Sequence, residues 1–213
     1  MKKVIMGCAA ALTVFLAGCS FGTSIENQLS DTVIELNQIE SKYKDVQSTL
    51  LDLEQEEQKL FNETMELTKE QRVELTAKVA ELEDLLAERL DQIEKEQSAM
   101  EKAKKSVSDF DTIIANADEN DKKLIEELKS VVSSRYELHS LFVEEYKELA
   151  TYQKELYEML ITENTDITEL KEQVKKVNAQ NEVVQTAIDI FNKATVDVNE
   201  LKDEVISGLQ DHN

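Results

Sequence analysis

The residues able to do chemistry in this 213-residue chain are few and poorly spaced for catalysis. There are two histidines, His139 and His212, two cysteines, Cys8 and Cys19, and no proline or tryptophan. A di-metal centre in a helical bundle needs Glu-x-x-His pairs facing inward. Here Tyr136 stands three residues before His139, and Leu209 three before His212. Ser/His/Asp catalysis would require His139, inside a helical stretch, to meet a nucleophile on another helix. A phosphate-cradling loop needs glycine, and no glycine lies between Gly22 and Gly208. Carboxylates are abundant, and Asp52, Glu54, Glu56 and Glu57 crowd together. Ca²⁺ sites, however, usually wrap six to eight oxygens around the ion from a loop. A solvated charge run is the better reading of that cluster. The sequence calls for no metal, no cofactor and no enzymatic activity.

Cys19 is the one thiol in a reactive context. Lys2 and Lys3 form a positive start, Val4 to Ala17 is apolar, and Leu16-Ala17-Gly18-Cys19 closes the run. This is the layout of a secretory signal, too short for a comfortable transmembrane helix. The last four residues resemble a bacterial lipobox, in which the cysteine is diacylated and becomes the first mature residue. Two acyl chains suffice for stable anchoring, where one gives only marginal binding. Cleavage before Cys19 would remove Lys2, Lys3 and Cys8 and take the net charge from −21 to −23. With Cys19 acylated, no thiol would be left for a disulfide or a nucleophile.

These residues must be positioned by helices. The chain carries 45 acidic and 24 basic side chains, a balance that excludes nucleic acid as a partner. The long Gly- and Pro-free interior leaves few turns of any kind. Apolar residues recur in heptads with mostly 3-4 spacing: Ile25, Leu29, Leu36, Ile39, Tyr43, Val46, Leu50, Leu53 and Leu60, then Leu75, Val79, Leu82, Leu86, Ile93, Met100, Ala103, Val107, Phe110 and Ile114. Leu124, Leu128, Val131, Leu138, Phe142, Leu149, Tyr152, Leu156 and Met159 continue the pattern, followed by Leu170, Val174, Val177, Val184, Ile188, Phe191, Val198 and Val205. Such regularity predicts amphipathic helices packed in coiled-coil fashion. Thr68 with Gln71 reads as a capping box, Asn116 to Asn120 as a cap-forming patch, and Asp166 with Glu169 as another cap.

Helices are therefore expected near 24–66, 69–115, 121–162 and 166–207, each about 65 Å long at ~1.5 Å per residue. The predicted fold class is all-α, an elongated up-down antiparallel bundle of about four helices. A helix running unbroken through Thr68 and carrying a hairpin is the alternative. The expected organisation is a signal peptide over 1–18, a lipidated Cys and short linker over 19–23, the bundle over 24–207 and a tail over 208–213. Oligomeric state stays open, because a 3-4 seam can close within one chain or between two.

Polar residues interrupt the seam at Glu57, Arg89, Glu96, Arg135, Asn181, Thr195 and Lys202. They fix register and pairing at a cost in stability, or line a polar tunnel. The third helix is unusual: its apolar and aromatic positions cover about 200° of the wheel, wider than a soluble helix normally shows. Either it is the most enclosed element, or it offers a strip carrying Tyr136, Tyr146 and Tyr157 as a candidate binding surface.

The stretch Arg135-Tyr136 through Glu155-Leu156-Tyr157-Glu158-Met159-Leu160, with Phe191-Asn192-Lys193-Ala194-Thr195 and the signal ending at Cys19, resembles the YkyA-type lipoproteins of Bacillus and relatives. The resemblance spans most of the mature chain. It implies a helical fold, a lipid anchor on the outer face of a Gram-positive cytoplasmic membrane, and association with cell-wall material. No catalytic residues come with it. The partners implied are the membrane, through the anchor, and a cell-wall polymer. Anionic teichoic acids should repel so acidic a chain, so an envelope protein with a basic surface, engaged by a scaffold or regulator, is the alternative partner.

Overall fold

Side chains with apolar residues every three or four positions must hide that stripe, and in a computed structural model of the chain they do so helix against helix. The structure describes residues 24–41 and 44–211; Cys19 and the signal lie outside them. Six α-helices are described: α1 (Ile25–Ser41), α2 (Lys44–Met65), α3 (Arg72–Ser106), α4 (Phe110–Asn116), α5 (Glu119–Ile161) and α6 (Ile167–Asp211). Short 3₁₀ turns, Lys69–Gln71 and Val107–Asp109, flank α3. No strand occurs among the described residues. The fold is an all-α helical bundle.

The breaks follow local chemistry. Before α3 the chain leaves its helix at Met65, and the Gln71 side chain accepts the Thr68 N–H at 3.1 Å. The unbroken alternative is thereby excluded. The helix expected over 69–115 is interrupted at Val107, where the Ser108 hydroxyl donates to the Lys105 carbonyl at 2.9 Å. A serine hydroxyl competing for a helix carbonyl favours such a local departure. Before α5, Asp118 Oδ1 accepts the N–H groups of Asn120 and Asp121 at 2.9 and 3.0 Å. Asp166 Oδ1 accepts the Thr168 N–H at 2.6 Å and starts α6. That bond holds the Asp166 carboxyl below the usual aspartate range. With no glycine to reverse the chain between α5 and α6, Asn164 takes the left-handed conformation at φ 65°. Asparagine tolerates it better than most residues.

The chain forms two compact units. In the first, Asp45–Glu96 packs with Leu141–Ala187, so that α2 and parts of α3, α5 and α6 surround Leu50, Leu82, Leu86, Phe142 and Leu156. Neighbours there run antiparallel: Glu63 meets Lys78 while Glu57 meets Arg89, and Tyr152 meets Gln173 while Glu145 meets Gln180. In the second, α1 packs on α4, and Gln97–Ser140 joins the last part of α6 around Leu29, Leu36, Phe110, Leu128 and Val205.

Asp118→Ala removes the acceptor for two otherwise unsatisfied α5 amides and is expected to cost about 1 kcal/mol. A midpoint lowered by roughly 2–4 °C in a circular-dichroism melt would register it. An unchanged melt would mean that water replaces the cap without loss.

Candidate binding site

Each unit buries an arginine, and the two are satisfied differently. In the second unit Arg135 of α5 forms a two-pronged pair with Glu40 of α1, its Nη1 and Nη2 donating to the carboxylate oxygens at 2.7 and 3.0 Å. Its Nε donates to Thr195 Oγ1 on α6 at 2.8 Å. The Tyr136 hydroxyl donates to the same Glu40 oxygen. The guanidinium lies 4.9 Å from the Phe191 ring centre, and His139 meets that ring edge-on at 5.2 Å. Both oxygens of Glu40 are thus held by the guanidinium, beside the rings of Tyr136 and Phe191.

In the first unit Arg89 of α3 faces two carboxylates, Glu54 and Glu57 of α2. Its Nη1 donates to Glu57 Oε2, and the Tyr157 hydroxyl donates to Glu57 Oε1, so both oxygens of Glu57 are engaged. Arg89 Nε and Nη2 donate to the Tyr146 hydroxyl at 2.9 and 2.7 Å. Tyr146 passes its own proton toward Glu54 Oε1 at 2.9 Å. Arg89 Nη2 is 3.7 Å from that same Glu54 oxygen. Glu54 Oε2 is buried with no hydrogen-bond partner among the described residues.

Protonation follows from this layout. Burial pushes the Glu54 carboxyl above the usual glutamate range; Arg89 and the Tyr146 hydroxyl oppose the shift, and Glu57 adds to it. Burial works against the charged form of Arg89, yet Tyr146, Glu57 and Glu54 together hold it well above its ordinary value. Burial also raises both phenols, with Glu54 adding to the effect at Tyr146 and Glu57 at Tyr157. The tyrosines therefore stay neutral donors, and Arg89 is a fixed cation.

Beside this cluster lies a cavity of about 100 Å³ between α2, α3, α5 and α6. Phe61, Leu149, Leu156, Val177 and Val184 supply apolar wall; Gln58, Gln153, Asn178 and Asn181 supply amides; Glu54, Arg89, Tyr146 and Tyr157 border it. Asn178 is solvent-exposed, which places an opening on the α6 side. A bundle interior with a few convergent polar groups is where helical proteins build ligand sites.

The candidate strip Tyr136, Tyr146 and Tyr157 does not form an outward surface, since none of the three is more than 3% exposed. The apolar arc of α5 is wide because its neighbours in both units enclose it, the first of the two alternatives drawn from the sequence. Tyr146 and Tyr157 meet at the cavity, whereas Tyr136 serves the Arg135 cluster of the other unit. The acidic run over 52–57 divides: Asp52 and Glu56 are exposed, while Glu54 and Glu57 turn inward. Among the polar seam positions, Glu57 and Arg89 find each other, as do Arg135 and Thr195, and Asn181 lines the cavity. Glu40 was not foreseen as a core residue. It lies four residues after Leu36 and so falls on the face that buries Leu29 and Leu36.

The sequence pattern of the YkyA family, described as "Putative cell-wall binding lipoprotein", matches residues 24–207. The chain belongs to the YkyA family. A crystal structure of a conserved protein of unknown function from Staphylococcus aureus is similar to this YkyA chain, with a TM-score of 0.72 and 21% identity over 88% of this chain and 98% of that one. At that identity the likeness speaks to fold alone. No curated protein matches the chain.

Replacing Arg89 with Leu leaves Glu57 buried without its cation and should cost about 3–5 kcal/mol, the usual loss when one partner of a buried pair is removed. Urea unfolding measures this, and a loss below about 1 kcal/mol would mean that water reaches the cluster freely. Glu54 carries a pH signature. Because its folded pKa is raised, the folded chain holds that proton more tightly than the unfolded one. Its contribution is most favourable below the ordinary glutamate range and is lost as pH rises through the folded pKa. Glu54→Gln should consequently raise stability more at pH 7.5 than at pH 4. Equal gains at both pH values would show that Glu54 titrates as a surface carboxylate.

Proposed function

We propose that this protein is a non-catalytic, lipid-anchored binding protein on the outer face of a Gram-positive membrane, held by acylated Cys19 and associating with cell-wall material through the cavity of its first unit. The observation that carries the reading is the family match over 24–207, which brings the description of a wall-binding lipoprotein to nearly all of the helical chain. The lipobox-like Leu16-Ala17-Gly18-Cys19 fits that description. The means of attachment we assign is an acyl anchor on Cys19, on the strength of that sequence and the family description; none of the described helices is long and apolar enough to cross a membrane. Signal cleavage before Cys19 and a helical domain over 24–207 complete the assignment.

Tyr146 and Tyr157 border the cavity that this reading assigns to the ligand, and Tyr136 is a packing residue. The acidic balance, 45 carboxylates against 24 basic side chains, supports a second reading: a scaffold that engages an envelope protein with a basic surface.

The wild-type protein should fractionate with membranes, and Cys19→Ala should not. Soluble 20–213 should sediment with purified sacculi, with and without teichoic acid, and Tyr157→Phe, which keeps the ring but loses the hydroxyl bound to Glu57, should weaken that sedimentation. Sedimentation abolished by EDTA would assign the contact to bridging cations. Failure to sediment under every condition would sink wall binding and leave the scaffold.

A further inference from the structure

The cluster at Arg89 sets two carboxylates against one guanidinium, and the one oxygen left without a hydrogen bond among the described residues belongs to Glu54. Glu57 is satisfied twice, by Arg89 and by Tyr157. Glu54 shares Arg89 only at 3.7 Å, its Oε2 is buried with no hydrogen-bond partner among the described residues, and the residue borders the cavity. A carboxylate oxygen left this way loses the hydration it had in water, a penalty that a donor inside the cavity would offset. The Arg135 cluster is the internal contrast. There Glu40 has both oxygens bound by the guanidinium, so nothing of the kind is needed.

We propose that the cavity takes the ammonium end of a primary amine, with Glu54 as its counter-ion. The charge, the lining and the size of the cavity select that class. The excess charge in the cluster is negative, which disfavours an anion. A neutral sugar hydroxyl would bond to Glu54 but leave the charge unbalanced.

Ca²⁺ takes six to eight oxygens and Mg²⁺ six, while Zn²⁺ takes about four ligands. Both oxygens of Glu57 are taken, and no group of three metal-binding side chains occurs among the described residues. The walls suit an organic cation: the rings of Phe61, Tyr146 and Tyr157 border the space, and aromatic faces attract cations. At about 100 Å³, the cavity is smaller than the engineered one of ~150 Å³ that admits benzene. A slender aminoalkyl end fits, and a whole sugar ring does not. The exposed amide of Asn178 marks where the rest of such a ligand would leave.

This deepens the wall-binding reading and rests on it for the source of the amine. Wall polymers carry primary amines as ester-linked amino acids and as side chains of wall peptides, and the two are chemically separable.

The probe is n-propylamine, titrated calorimetrically into the full chain in non-ionic detergent at fixed ionic strength, with n-propanol and KCl as controls. Uptake of the amine alone is expected, weakened at least tenfold by Glu54→Gln and left unchanged by Glu56→Gln on the exposed face. Val184→Leu, which narrows the cavity without touching a charge, should weaken it too, should the Glu54 variant fold poorly. No uptake, or equal competition by K⁺, overturns the proposal.

Sacculi then separate its failure from that of the wall-binding reading. Sedimentation released by propylamine and by N-acetylation of the walls supports both. Loss after mild alkali points to ester-linked amines, and loss only after acetylation to peptide amines. Sedimentation indifferent to amine and acetylation refutes a wall amine as the ligand while wall binding itself stands.

Discussion

A guanidinium drawn out of water into a helical core must recover several kcal/mol from its neighbours, or the helices that carry it will not close. Arg89 and Arg135 set that condition for their units. Arg135 meets it with one carboxylate gripped by both terminal nitrogens and with a hydroxyl from a further helix. Arg89 meets it by recruiting α2 and α5 at once, through Glu57 and Tyr146. Apolar seams can slide by a heptad with little change in contact, but these bonds allow one alignment only. The leucines and valines supply the driving force for closure, and the two arginines choose which closure results.

The same constraint explains why α5 carries so much aromatic surface. A tyrosine brings a broad apolar face together with one hydroxyl that can reach a buried carboxylate. Tyr136, Tyr146 and Tyr157 all use that combination, each ending on a glutamate of α1 or α2. The rings displace water while the hydroxyls satisfy the acids. Polar chemistry is thereby carried into the interior without an open channel, except where the second carboxylate at Arg89 leaves room beside it.

Much of this was legible from residue spacing. The all-helical class followed from the missing glycine and proline, and the breaks at Thr68, Asp118 and Asp166 from capping residues, each of which makes its bond. The polar seam positions Glu57, Arg89, Arg135 and Thr195 stood out because they fell on apolar faces. Glu40 and Glu54 did not, since a glutamate just off a seam looks like any solvated glutamate until its partner is known. Those partners, Arg135 and Arg89, lie 95 and 35 residues away in sequence, beyond the reach of helical periodicity. The interruption at Val107 was equally hidden, because a serine hydroxyl can either face water or turn back on its own helix.

The chain contains three arginines, Arg72, Arg89 and Arg135, against an otherwise lysine-rich basic set. All three join helices, Arg72 by donating from the start of α3 to the Ile161 carbonyl at the end of α5. A lysine carries all its donors on one nitrogen and could not grip both oxygens of Glu40 side by side while also reaching Thr195, as Arg135 does. On the outer faces either basic residue would serve, whereas these three positions call for the guanidinium. What looks like a sparse scatter of one amino acid marks the places where the helices of this chain are joined.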